Sequence, residues 1–145
     1  GVRLVGSEMC IRDRLNPKTV CKNIGFSGRS LIPVRQGYTK CSVVPVTESA
    51  IITDDVSIAS ASQKSGLAVL LVSKGDVALP GREYGFIGGC CGLIAPDTML
   101  FNGSLSFHRD GEKIRAFLSS FGVRAEETGD FQLTDIGSIL PLAER

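Results

Sequence analysis

Few side chains in this sequence could do chemistry, and their spacing keeps them apart. The one imidazole, His108 in SLSFHRDGE, stands just ahead of a helix start. There it could act as a general base, or serve only as a surface loop residue. Asp54 and Asp55 in IITDDVSIA could clamp a cationic group, although helix capping accounts for one of the two. Gly88 and Gly89 in GFIGGCCG would either let a ligand reach the backbone or relieve a crowded bulge. Asn102 and Gly103 follow an apolar run and read as a turn first and a ligand contact second. Asp135 and Ser138 form a polar pair beside Ile139 and Leu140, and such a pair needs partners when buried.

The thiols add little to this set. Cys10, Cys21, Cys41, Cys90 and Cys91 contain no CxxC pair, and with a single His there is little from which to build a zinc site. No metal and no cofactor is expected. Lys40 beside Cys41 could lower that thiol's pKa, with packing as the alternative role. Cys90 and Cys91, read as neighbours in one strand, point to opposite faces and so cannot serve one site. Thiols without a pairing pattern fit a reduced, cytoplasmic setting.

The chain that must position these residues has 145 residues, 43% of them hydrophobic and 21% charged. That is enough for one globular domain burying roughly two-thirds of its unfolded surface. Sixteen basic against fifteen acidic residues, without blocks of one sign, leave no electrostatic footprint for nucleic acid or anionic lipid. The longest apolar run, Leu67 to Val72, is strand-sized and far short of a membrane span. A small-molecule ligand and the oligomeric state both stay open. Residues Leu4 to Arg14, LVGSEMCIRDR, match the translation of a sequencing-library transposase adapter. Residues 1–14 are therefore expected to be a fusion scar, disordered and detached from the core, leaving a domain over 15–145 with thirteen basic and thirteen acidic residues.

Within that domain one pattern recurs: strand, strand, helix, strand. CSVVPV (41–46) and Ala50 to Ile52 read as a hairpin, Val56 to Ser65 as a helix stopped by Gly66, and Leu67 to Val72 as a buried strand. Gly85 to Ala95 and Thr98 to Phe101 repeat the hairpin. Asp110 is placed to cap a helix whose Ile114, Phe117, Leu118 and Phe121 share one face, and Gly122 stops it before a strand over Val123 to Glu126. IGSILPL (136–142) matches the start of each hairpin and opens a third unit.

QGYTKCSVVPV, AIITDDVSIA, ALPGREYGFIGGCCG, LFNGSLSFHRDGEKIRAFL and LTDIGSILPL resemble the C-terminal half of an uncharacterised bacterial family with the guanidino-group-modifying-enzyme, or pentein, fold. The resemblance spans roughly Gly37 to Leu142. It implies an α/β propeller of five ββαβ modules around a pseudo-fivefold axis, with the active site in the central channel and Asp135 and Ser138 on a channel-lining strand. About two and a half modules are present.

Catalytic members of that fold, such as arginine deiminases, dimethylargininases and amidinotransferases, attack a guanidinium carbon with a cysteine thiolate, assisted by a His and by acidic residues. This sequence has Gly137 and Ser138 where the terminal thiol is expected, and FIGGCCG where the His is expected. A Ser hydroxyl without an adjacent base is a poor nucleophile. The resemblance thus implies a protein that binds a small polar or cationic ligand without the standard Cys/His chemistry, with Asp54, Gly88, Gly89, Asn102, His108, Asp135 and Ser138 as candidate contacts. The alternatives are a guanidino-group-modifying hydrolase or transferase with altered catalytic residues, and a structural module that assembles through a sheet edge.

Overall fold

The structure, a computed structural model, describes the backbone of residues 2–5, 9–13, 30–34 and 39–142, and the side chains of 41–142. Strand β1 (Val2–Val5) pairs antiparallel with β2 (Met9–Asp13), which pairs parallel with β3 (Ser30–Val34). The side chains of these strands lie outside the described residues; their backbone pairing departs from the disordered segment expected over residues 1–14. A single helical turn, α1 (Thr39–Ser42), leads into the first complete unit.

That unit is β4 (Val43–Thr47), β5 (Ala50–Thr53), α2 (Val56–Lys64) and β6 (Ala68–Leu71). β4 and β5 form an antiparallel hairpin, and the α2 crossover returns β6 parallel to β5. The second unit, β7 (Cys91–Ala95), β8 (Thr98–Phe101), α3 (Gly111–Ser120) and β9 (Arg124–Glu127), repeats that order and both pairing senses. Its register repeats as well: Val43 opposite Thr53 corresponds to Cys91 opposite Phe101, and the irregularity between Pro45 and Thr47 to that between Leu93 and Ala95. Pro45 is tolerated because β4 is the edge of its sheet. The expected helices are present to within a residue at most ends, and Gly66 and Gly122, at φ +85 and +71, terminate them in the left-handed region.

Alternating side chains explain the layers. Ile51 and Val43 face α2, where Ile58 completes a small cluster. Ala50, Ile52 and Val44 face the other way, into a larger core shared with Met99, Phe101, Ile114 and Leu118 of the second unit. β5 is buried on both faces, which is why its sequence reads AIIT without polar alternation.

Three expectations are corrected. The strand expected from Gly85 starts only at Cys91, because Ile87–Gly89 forms a 3-10 turn. Cys90 closes that turn with ψ near 3°, so side-chain alternation fails between it and Cys91. Both thiols therefore donate to one acceptor, Ile87 O, at 3.2 and 3.3 Å, rather than facing opposite sides. No strand forms over residues 136–142. Positive φ at Gly137 (+89) and Ser138 (+114) breaks the extended run, and the segment instead bonds to the second unit's turn through Ile136 N and Ser138 N, both donating to Gly89 O.

Candidate functional site

The candidate site is a cleft of about 730 Å³ between the loop over residues 79–86 and the segment after Leu133. Its walls are mainly apolar, from Leu79, Tyr84, Phe86 and Ile136. Asp135 contributes a carboxylate, Cys41 a thiol, and Arg82 and Glu83 exposed charges at the same opening.

Asp135 is fixed from several directions. Its Oδ2 accepts from Phe86 N at 3.0 Å and its Oδ1 from Gly137 N at 2.9 Å, while its own N–H donates to Ala78 O at 2.8 Å. The carboxylate rests on Gly85 and Gly89, where an added Cβ would collide with it. Gly89 is therefore a seat for Asp135, and Gly88 lets the turn press against the backbone carbonyls of Cys41 and Val43. The groups pressed against these two glycines are the protein's own.

Asn102 grips the residue before Asp135. Its Nδ2 donates to Thr134 O and its backbone carbonyl accepts from Thr134 N, both at 3.0 Å, so the two polar main-chain groups of Thr134 are bound by one residue. Asn102 N also donates to Cys90 O at 2.7 Å. Asn102 thus positions the cleft segment instead of lining the cleft. Ser138 is half-buried, held by its N–H on Gly89 O, and shares no hydrogen bond with His108 among the described residues.

The two adjacent acids divide their roles. Asp55 is the cap of α2, accepting from Ile58 N at 3.0 Å and from the Ser57 hydroxyl at 2.6 Å. Asp54 is buried and accepts from Ile87 N at 3.1 Å, tying the first unit to the turn of the second. Burial pushes its carboxyl pKa up, against the lowering effect of the Ile87 N–H and Lys74.

His108 is far from a surface residue: only 5% of it is exposed. Its Nδ1 accepts from Asp110 N at 3.0 Å, which leaves the proton on Nε2. Burial holds the imidazole below its ordinary pKa, outweighing the opposing pull of Asp76 and Asp110. Asp110 occupies the start of α3 without capping it, because its Oδ2 accepts from Ser73 N at 2.7 Å and its Oδ1 from Lys113 at 3.2 Å. Asp76 joins the same cluster, with Arg109 donating from its backbone N, Nε and Nη2. That Arg109 fork is the first cause holding the Asp76 carboxyl down at about 2. These contacts anchor the loop after β6, which continues into the cleft wall.

The sequence reading missed the cleft's apolar wall. Leu79, Tyr84 and Phe86 lie in ALPGREYGF, a loop whose aromatic residues beside Pro80 and Gly81 were the available signal. Among the described residues, no group of three His, Cys, Asp or Glu side chains could hold a metal ion, and no helix is long and apolar enough to cross a membrane.

Two ββαβ units, with a cleft between the loop that joins them and the segment after Leu133, give a protein of pentein-like fold. Agmatine deiminase from C. jejuni superposes with a TM-score of 0.61 at 11% identity, over 87% of this chain and 47% of that enzyme. A cysteine-to-serine variant of that deiminase with substrate bound gives the same TM-score and identity, over 87% and 48%. The chain thus spans about half the length of these enzymes. No curated protein matches it. The chain belongs to the family of unknown function DUF6873, whose sequence profile matches residues 4–140.

Proposed function

We propose that this chain is part of a pentein α/β propeller, with two complete ββαβ modules over residues 43–127, that binds a small polar or cationic ligand in the cleft beside Asp135. The observation that carries the reading is the Asp135 carboxylate, held on the cleft wall by Phe86 N and Gly137 N. Each oxygen spends one lone pair on a backbone N–H and keeps another for a cation. Two fixed donors orient the carboxylate before any ligand arrives, so little ordering entropy remains to oppose binding. Leu79, Tyr84, Phe86 and Ile136 would cover the ligand's apolar body while its charged end meets Asp135.

Standard amidine chemistry fits poorly. His108 spends its acceptor nitrogen on Asp110 N, and Cys90 and Cys91 are buried against Ile87 O. Isothermal titration of arginine-like and simpler amines against the intact protein tests the reading. Asp135→Ala should weaken the preferred amine by about tenfold to a hundredfold, the range of a charge-assisted hydrogen bond. Equal affinities would remove Asp135 from the site.

One observation favours a second reading, a hydrolase or transferase with altered catalytic residues: Cys41 lines the same cleft as Asp135. In that case blocking Cys41 with iodoacetamide, or Cys41→Ser, abolishes turnover of a guanidino compound. Absence of turnover in the untreated protein rejects this second reading.

A further inference from the structure

Asn102 and Gly103 are the one Asn-Gly pair in the sequence. In an open chain such a pair reacts with itself, because a glycine offers no side chain to obstruct the approach. The Gly103 amide nitrogen, having given its proton to solvent base, forms a bond to Asn102 Cγ. The Cγ–Nδ2 bond breaks, and Nδ2 takes a proton and leaves as ammonia. Water then opens the five-membered imide at either carbonyl, producing an aspartyl or isoaspartyl residue at position 102.

In this fold every group that the reaction needs is held. Gly103 N–H donates to Thr128 Oγ1 at 2.9 Å, which opposes its deprotonation. The Thr128 hydroxyl lies 3.4 Å from Asn102 Oδ1 as its donor, and the leaving nitrogen Nδ2 is bound to Thr134 O at 3.0 Å. Gly103 is fixed at φ +112, and the carbonyls of Phe131 and Gln132 occupy the place where a Cβ would stand.

We propose that Asn102–Gly103 is a latent self-modification site, kept intact by its bonds to Thr128 and Thr134 and converted when this segment opens. Conversion replaces the Nδ2 donor with a carboxylate oxygen, so that two acceptors face each other at Thr134 O. Thr134 precedes Asp135, and the loss of its grip frees the carboxylate from the cleft wall.

Mass spectrometry of the tryptic peptide 83–109 follows the amide-to-acid conversion during incubation in mildly alkaline buffer. The chain unfolded in guanidinium should convert at least about tenfold faster than the folded protein, since conversion in the fold must wait for local opening. Exposed Thr128, changed to Ala, should leave the fold intact and speed conversion severalfold. Equal rates in folded and unfolded chains, or a Thr128→Ala rate equal to wild type, would overturn the proposal. The consequence is read separately by hydrogen exchange. Asn102→Asp, or aged wild-type protein should that variant not fold, should exchange the amides of Asp135, Ile136 and Ser138 severalfold faster. Unchanged exchange there would overturn the link to the cleft.

Discussion

The carboxylate of Asp135 lies directly on the Cα of Gly89, closely enough that a methyl group at Gly89 has no place to stand. Asp135 cannot yield cheaply, since Phe86 N and Gly137 N hold its two oxygens. Gly89→Ala is therefore expected to cost about 1–3 kcal/mol and to unseat Asp135. Gly88→Ala meets the backbone carbonyls of Cys41 and Val43 instead and should be at least as destabilising, because backbone moves less readily than a side chain. Urea denaturation of both variants checks this, and a Gly89→Ala protein as stable as wild type would refute the described seat.

Asp54 and Asp55 should respond oppositely to loss of charge. Asp55→Ala removes the α2 cap and should cost about 1 kcal/mol. Asp54 is a different case. Its folded pKa is raised by burial, so the unfolded chain releases its proton first, and stability falls as pH rises through the carboxylate range. Asp54→Asn keeps an acceptor for Ile87 N without a buried charge, and should be at least as stable as wild type at neutral pH. Thermal melts of the two variants decide between these roles.

The His108 imidazole titrates below its ordinary 6.5 because burial disfavours the charged form. The unfolded chain therefore takes up the proton first, and stability present above pH 6.5 is lost as pH falls toward the folded pKa. The carboxyl of Asp76, held down at about 2, gives up its contribution only at more acid pH, as pH drops from 3.8. His108→Gln retains an acceptor for Asp110 N but cannot titrate. Its urea midpoint should change less than that of wild type across the interval just below pH 6.5, and equal slopes in the two proteins would mean that folding does not lower the His108 pKa.

Much of the architecture was legible because it rests on local signals. Helix stops at Gly66 and Gly122 and the continuous apolar runs of β5 and β8 are written in residue types. The cleft was legible only at Asp135, since contacts between distant segments decide the rest. Nothing near His108 in sequence announces that Asp76 and Ser73 bury it, and no local signal shows that Asp110 will bond Ser73 N rather than cap its own helix. The apolar run IGSILPL matched earlier hairpins in pattern, yet Gly137 and Ser138 turn it away from strand geometry. Asn102 reads in the sequence as a turn residue first and a ligand contact second, and its side chain bonds Thr134, thirty-two residues away.

The most direct test of the proposed site reads the two amides that hold Asp135. In a titration with an arginine-like amine, followed by nuclear magnetic resonance of the intact protein, the Phe86 and Gly137 N–H signals should shift with saturation. The same titration of Asp135→Asn should leave both signals unmoved at equal ligand concentration. Saturable binding that moves other residues while Phe86 and Gly137 stay fixed, or equal shifts in both proteins, would contradict a cation site at Asp135.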